Sequence, residues 1–378
     1  MTSWDNADRT ADAPTARRLR RTPPGSRERM RIVIVGATGN VGTSLLTALA
    51  HEPAVEQIVA IARRPAQLGD ARVRMVAADV AHADLAPLFA GADAVVHLAW
   101  LIQPSRDERT LRAVNVDGTR NVLDAAASAG VRAVVYASSV GAYSPGPKDR
   151  LVDESWPTHG IDSLFYARHK AETERMLDRF ERDRPDTRVV RLRPGLIFKR
   201  EAATGIRRLF AGPLLPSPLL RRELIPFVPD VPRLRFQAVH SLDVGEAYRL
   251  AVLSDAHGAF NVAADPVLDP AVLADALGAR RVPLRAGVLR GAASLSWRLR
   301  LQPSPPGWVD MALAVPLMDT SRVRRELGWE PRRTSVEALT ELLDGLRDGA
   351  DFPTPPLASE TTAPLREREL RTGVGATP

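Results

Sequence analysis

Cysteine is absent from all 378 residues of the chain. Disulfide frameworks and thiolate metal sites are thereby excluded, and a reducing cytoplasm is the expected setting. Histidine is scarce, at seven residues without ligand spacing, so no metal centre is expected. Aromatic residues make up only 5%, and tyrosine occupies four positions. Lysine is rarer still: of 52 basic residues all but Lys148, Lys170 and Lys199 are arginine. Long apolar runs are missing too. The run "AVVHLAWLI" (Ala94 to Ile102) is far too short to span a membrane, and the N-terminus lacks the apolar stretch of a signal peptide. No membrane partner is expected.

What is present suits a globular protein with a sizeable core, at 44% hydrophobic and 26% charged residues. The net charge of +7 invites a nucleic-acid reading, so the position of the charge matters more than its sum. Residues 1–29 hold seven arginines against four acids with no hydrophobic period. They read as a disordered basic tail, or as sequence upstream of a start at Met30, rather than as a nucleic-acid arm. Elsewhere the arginines are scattered and not interleaved with aromatics, so no nucleic-acid partner is expected. Residues 349–378, with "ADFPTPPLASETTAPLREREL", read as a second, flexible tail.

Between the tails, short β-branched runs alternate with helical patterns: "RIVIV" from Arg31, "QIVAIA" from Gln57, "VRMVA" from Val73, "AVVHLA" from Ala94, "AVVYAS" from Ala133 and "RVVRLR" from Arg188. Continuous apolar strands separated by helices imply a parallel sheet covered on both faces. The predicted class is α/β, a doubly wound Rossmann domain over 30–195. From 196 to 348, proline-rich loops such as "GPLLPSPLL" and "ELIPFVPDVPRL" mark a smaller substrate-binding lobe with strands returning to the main sheet.

The first strand runs into "GATGNVG", Gly36 to Gly42, and then an apolar helix. Gly36 would make the tight turn, Gly39 would let backbone approach a pyrophosphate, and Gly42 would let helix and strand pack closely. Thr38, Asn40 and Val41 complete that turn, and the helix N-terminus offers unpaired N–H groups to phosphate. A dinucleotide is thus the expected cofactor. Where the second strand ends, the acid that would hold an NAD ribose is replaced by Ala62, Arg63 and Arg64. A guanidinium at Arg63 suits a 2′-phosphate, so NADP is expected ahead of NAD.

With "ADV" (Ala78 to Val80), "HLA" (His97 to Ala99), "NVDGT" (Asn115 to Thr119), "YASS" and "YARHK" in order after the glycine loop, the chain resembles the extended short-chain dehydrogenase/reductase family. Its NAD-dependent epimerase/dehydratase group fits best, and "RLRPG", "VHSLDVGEA", "FNVA" and "RRELGWEPR" continue the likeness. The resemblance implies that Asp79 and Val80 contact adenine, that Leu98 and Ala99 line the nicotinamide ribose, and that Pro194 lies by the carboxamide. It also implies a homodimer packed through the helices carrying "NVDGT" and "YARHK". Asp79 as a turn cap, Leu98 and Ala99 as core, and Asn115 as an ordinary helix residue are the plainer alternatives.

"YARHK" places Tyr166 and Lys170 four apart, on one face of a helix after the fifth strand. An ammonium there can hold ribose hydroxyls and lower the pKa of the phenol, making Tyr166 a general acid/base. At the end of the fifth strand the family pattern selects Ser139, four before Tyr143, to donate a hydrogen bond to the substrate oxygen. Tyr166 and Lys170 thereby serve both catalysis and the cofactor.

Two departures bear on the reaction. The acidic pair that nucleotide-sugar dehydratases carry after the catalytic serine or threonine is here Val140 and Gly141, which argues against a dehydratase. The arginine that grips the diphosphate in sugar-nucleotide epimerases, four before His240, is here Phe236. Neighbouring Arg235 would point to the opposite face of a strand. A dehydrogenase or reductase acting on a less polar carbonyl or alcohol is the expected small-molecule chemistry. A nucleotide-sugar epimerase with tightly bound NAD is the alternative, and a non-catalytic NADP-binding sensor is the third reading.

Overall fold

The computed structural model describes residues 29–67, 69–210 and 225–358. The basic segment before 29, the "GPLLPSPLL" loop and the stretch from 359 lie outside the described residues.

Strand β1 (Met30–Val35) leads into α1 (Asn40–Leu49), followed by β2 (Val55–Ala62), β3 (Val73–Ala77), α2 (Ala86–Phe89), β4 (Ala94–His97) and α3 (Glu108–Arg112). A π-helical turn at Ala113–Asp117 joins α3 to α4 (Gly118–Ser128), which precedes β5 (Ala133–Ala137). Next come β6 (Leu151–Val152), the long α5 (Phe165–Asp183), β7 (Arg188–Pro194), β8 (Leu196–Phe198) and α6 (Ala203–Phe210). The later part holds β9 (Phe227–Asp230), β10 (Phe236–His240), α7 (Ser241–Leu253), β11 (Gly258–Val262), β12 (Ala264–Leu268) and α8 (Pro270–Leu277). It ends with β13 (Arg280–Pro283), α9 (Ala286–Arg298), α10 (Gly307–Ala314), β14 (Leu317–Met318), α11 (Ser321–Leu327) and α12 (Ser335–Asp348).

Seven parallel strands form the main sheet in the order β11-β7-β5-β4-β1-β2-β3. Side chains alternate across a strand, so β1 sends Ile32 and Ile34 to one face and Val33 and Val35 to the other. On the first face they meet Leu45 and Leu49 of α1, Val244 and Tyr248 of α7, and Val323 of α11. On the second they meet Phe89 of α2, Val122 of α4 and Leu177 of α5. Both faces are covered, which is why the strands read as unbroken apolar runs, and the doubly wound α/β class is the one observed.

Strand ends fall within two residues of the sequence reading. The change of character at 195 is not a clean cut, because the chain returns to the main sheet. Helix α7 lies so close to α1 that a β-carbon on Gly245 would sit 2.6 Å from the Ser44 carbonyl carbon, and β11 pairs with β7 from Gly258 to Val262. Smaller sheets β12-β10-β8, β13-β9 and β14-β6 build the lobe.

The expectation of a flexible tail from 349 needs correction for its first part. Thr354 is buried and its Oγ1 donates to the Thr38 carbonyl at 2.9 Å, while Thr204 Oγ1 donates to the Ala350 carbonyl at 2.9 Å. Leu357 is buried beside them. Composition suggested a tail because proline is frequent; the segment is ordered instead by hydrogen bonds and apolar burial supplied by distant residues.

Gly245→Ala is expected to wedge α1 from α7. A loss of about 1–3 kcal/mol, read from the denaturant midpoint at unchanged slope, is the expected cost of such overpacking.

Candidate active site

The carboxyl ends of β1, β4, β5 and β7 meet where the strand order reverses, between β1 and β4. At the end of β1, Gly36 has φ +91°, and a β-carbon there would strike the Ala99 backbone nitrogen at 2.6 Å. Gly42 is closed in the same way, since its β-carbon would lie 2.5 Å from the Gly36 carbonyl oxygen. Gly39 differs: its φ of −77° suits any residue, and a β-carbon there would meet the protein only at 3.4 Å, an ordinary contact. The fold itself does not require glycine at 39, so the space it leaves fits a ligand.

Helix α1 starts at Asn40 without a side-chain cap, so its first-turn N–H groups, from Asn40, Val41 and Gly42, face that space unpaired by the helix. Asn40 Oδ1 is buried with no partner among the described residues. These features fit a dinucleotide pyrophosphate. Behind the turn, Lys199 Nζ donates to Thr43 Oγ1 at 2.8 Å, and burial lowers its pKa to about 8, opposed by Glu201.

The remaining cofactor positions lie along the same edge. Arg63 and Arg64 are exposed after β2, and neither forms an ion pair among the described residues. Burial, then the neighbouring Arg63 charge, lowers the pKa of Arg64. Asp79 caps the turn after β3, its Oδ1 accepting from Ala81 N at 3.0 Å, and Val80 is buried under Gly118. Leu98 and Ala99 are half-buried beside the glycine turn, and Pro194 is buried at the end of β7. Asn115 is no ordinary helix residue. It lies in the π-helical turn and clamps Leu101 twice, accepting from Leu101 N at 2.7 Å and donating to Leu101 O at 2.8 Å.

Ser139, Tyr166 and Lys170 come together beside this edge. Ser139 Oγ accepts from Gly141 N at 3.0 Å, and its hydroxyl lies near enough to the Tyr166 phenol to lower the phenol's pKa. Gly141 must stay small, because a β-carbon there would lie 2.9 Å from Tyr166 Cε1 and 3.0 Å from Met311 Sδ. The position at which a dehydratase would carry an acid therefore has no room for one. Lys170 is 2% exposed; its Nζ donates to the Ala137 carbonyl at 2.6 Å and sits 3.4 Å over the Trp100 ring.

One expectation about these residues is reversed. Lys170 was expected to lower the Tyr166 pKa, but burial raises the phenol, offset in part by the Ser139 hydrogen bond. Burial also holds the Lys170 ammonium well below its ordinary value, against the pull of Glu174. The ammonium is turned to Ala137 and Trp100 and lies 5.9 Å from the Tyr166 ring centre.

Sequence reasoning missed the aromatic wall. Tyr166 packs against Trp100 with ring centres 5.9 Å apart and against Trp308 at 5.1 Å, and Phe210 meets Trp308 at 5.1 Å. Trp100 directly follows "HLA" and was legible as a neighbour of the site; Trp308 carries no local signal. Also missed was Glu174, fully buried on α5 one turn beyond Lys170. Arg193 donates to it at 2.9 and 3.0 Å, Arg191 at 3.0 Å and Ser138 Oγ at 2.5 Å. Burial would raise its pKa, but Arg193 first and then Arg191 and Ser138 hold it at about 2.

Residues 32–210 match the model of the NAD dependent epimerase/dehydratase family. This part of the chain belongs to that family. An uncharacterised protein of Mycobacterium tuberculosis is 27% identical over 321 residues, which is 84% of this chain and 30% of that protein. The epimerase/dehydratase chain thus spans about a third of the length of that relative. The sterol-4-alpha-carboxylate 3-dehydrogenase (decarboxylating) of Saccharomyces cerevisiae is 36% identical over 99 residues, 25% of this chain and 28% of that enzyme. A Thermus thermophilus UDP-glucose 4-epimerase, solved in complex with NAD, shares the fold with a TM-score of 0.61 and 20% identity, over 84% of this chain and 99% of its own.

Glu174→Gln is expected to leave the buried Arg193 without a carboxylate, while Arg191 keeps Asp178 and Glu181, costing about 3–5 kcal/mol in chemical denaturation. In the unmutated protein the Glu174 pKa is depressed from 4.5 to about 2. Its contribution to stability is therefore fully present above about pH 4.5 and fades as pH falls towards 2, so the two proteins' denaturation midpoints should converge in acid.

Proposed function

We propose that the chain is an NAD(P)-dependent oxidoreductase that moves a hydride between nicotinamide and a carbonyl or alcohol on a largely apolar substrate. The observation that carries this reading is the meeting of Ser139, Tyr166 and Lys170, inside an aromatic wall, at the strand edge that holds the glycine turn. Phe236 at the position of a diphosphate-gripping arginine supports it, as does Arg235, whose Nη1 donates instead to the Lys148 carbonyl at 2.7 Å. A yeast relative that is a sterol dehydrogenase by name fits the same substrate class.

Residues Gly36 to Gly42 would hold the pyrophosphate, Asp79 and Val80 the adenine, Leu98, Ala99 and Lys170 the nicotinamide ribose, and Pro194 the carboxamide. When bound, the dinucleotide supplies or accepts the hydride. Ser139 donates to the substrate oxygen while Gly141 N orients its hydroxyl. Tyr166 passes its proton to that oxygen during reduction or takes it during oxidation. A phenol raised by burial is fully protonated at neutral pH, which suits the acid role and the reductive direction. Trp100, Trp308 and Phe210 give the surroundings of Tyr166 a largely apolar character.

The preference for NADP rests on Arg63 and Arg64, two exposed guanidiniums at the end of β2 without carboxylate partners among the described residues. NAD is the dinucleotide named for the Thermus structure, so this preference is proposed for this chain on its own residues. A homodimer through α4 and α5, in the cytoplasm, completes the proposal. Epimerisation of a nucleotide sugar is the competing reading, favoured by the fold shared with UDP-glucose 4-epimerases.

The deciding experiment follows NADPH absorbance with apolar ketones, steroid-like carbonyls and UDP- or dTDP-sugars. Net oxidation of NADPH by an apolar carbonyl is expected; conversion of a UDP-sugar without net change in cofactor would replace the proposal by the epimerase. Tyr166→Phe should lower turnover at least ~100-fold while NADPH still binds. With a phenol pKa above its usual value, alcohol oxidation should climb through the alkaline range while carbonyl reduction stays level around neutrality. Arg63→Ala should weaken NADPH by roughly tenfold and leave NADH unchanged; equal loss for both would remove the case for NADP.

A further inference from the structure

Helix α9 has no buried residue, although nearly half of it is apolar. Val288, Leu295 and Leu299 are 57%, 59% and 60% exposed. With Ala292 they fall at i, i+4, i+7 and i+11, a single stripe along the helix that faces water. The β13-β9 pair, which precedes α9 in the chain, carries exposed apolar residues of its own. Because Phe227 pairs with Arg280 and Pro229 with Val282, the exposed Phe227 and Val282 lie on one face of the β13-β9 sheet. Leu301, just beyond α9, is exposed as well.

The charge around this surface is of one sign. From Ala276 to Val309 the sequence holds six arginines, Arg280, Arg281, Arg285, Arg290, Arg298 and Arg300, and no aspartate or glutamate. All six are exposed. Arg281 lies 3.5 Å from Asp230 of β9 and Arg290 is 2.7 Å from Asp310 of α10, while Arg285 and Arg298 have no carboxylate partner among the described residues. On the helical wheel Arg285 and Arg298 flank the apolar stripe on opposite sides.

From this juxtaposition we propose that α9 and the β13-β9 sheet form a docking surface for an anionic phospholipid membrane. Aliphatic side chains on a convex helix enter the acyl boundary, and the flanking guanidiniums meet phosphate headgroups. Charge decides between this occupant and a second copy of the chain. A two-fold contact through the apolar stripe would set Arg285 and Arg298, which have no carboxylate partner among the described residues, against cations of the second copy. A bilayer also demands no fixed complementary shape, which a row of exposed leucines does not offer. The docked face lies one helix from the proposed catalytic tyrosine, since α9 packs on α10 and Trp308 of α10 touches Tyr166. The surface stands independently of the reaction assigned to that tyrosine.

The test is co-sedimentation of the full chain with vesicles of phosphatidylcholine alone or with about 30% phosphatidylglycerol. Binding is expected only to the anionic vesicles, falling steeply in 1 M salt. Leu295→Glu/Leu299→Glu should reduce it at least ~10-fold, and Arg285→Glu/Arg298→Glu by a similar factor. Both variants should keep the melting temperature to within about 2 °C, as substitutions at exposed sites do. Equal binding to both vesicle types, or none, overturns the proposal. So does binding that survives the leucine variant, which would assign it to the basic segment before residue 29. A fall in melting temperature, or a change in sedimentation mass, on the leucine substitutions would show the face covered by this chain or by a second copy, and would equally overturn it.

Discussion

The site depends on one buried carboxylate. Glu174 on α5 accepts the guanidiniums of Arg191 and Arg193 of β7 and takes the Ser138 hydroxyl at the end of β5. Tyr166 and Lys170 ride on α5, and Ser139 follows Ser138, so one residue fixes the helix that bears the acid and the strand end that bears its partner. Glu174 cannot shift without stranding the buried Arg193, whereas Arg191 also pairs with Asp178 and Glu181, and that penalty holds the geometry. Arg193 carries the constraint onward, donating to the Tyr143 hydroxyl at 3.1 Å, which in turn donates to Asn261 of β11 at 2.6 Å. The edge of the main sheet and helix α5 are thus parts of one polar network.

Around that network the chain separates two kinds of surface. On the dinucleotide side, backbone approaches closely and glycine is needed at 36 and 42 for packing, while Gly39 leaves its room to a ligand. On the substrate side the groups near Tyr166 are rings, with Trp100 over Lys170 and Trp308 beside the phenol. Burial by those rings moves both titrating groups in the direction of their neutral forms. A low-dielectric wall therefore does for the phenol what a nearby ammonium alone would oppose.

Much of this was legible in the sequence, for physical reasons that also mark where legibility ended. Strands buried on both faces must be apolar without alternation, so β1 and β5 could be located almost to the residue. The glycine turn has a stereochemical requirement that sequence records directly. Trp308 and the docking of 350–358 depend on which distant surfaces meet, and no local pattern encodes that. Asp79 was legible only as two alternatives; in the structure it caps its turn, which leaves its other oxygen for a ligand. The direction of the Tyr166 shift escaped because spacing placed an ammonium nearby but said nothing of how deeply the pair is buried.

The rarity of lysine proves to be structural information. All three lysines, Lys148, Lys170 and Lys199, are buried, at 5%, 2% and 4% exposure, and all donate to carbonyl or hydroxyl oxygens rather than to carboxylates. The exposed cations are arginines. Arginine keeps its charge and needs up to five acceptors, which suits water or a carboxylate fork. A compact ammonium needs three at most and can give up its proton when desolvated, and burial lowers Lys148 to about 7 and Lys199 to about 8. The chain therefore uses lysine where a cation must be enclosed without a carboxylate beside it. At Lys170 the enclosed ammonium donates to one carbonyl, that of Ala137, and lies over the Trp100 ring.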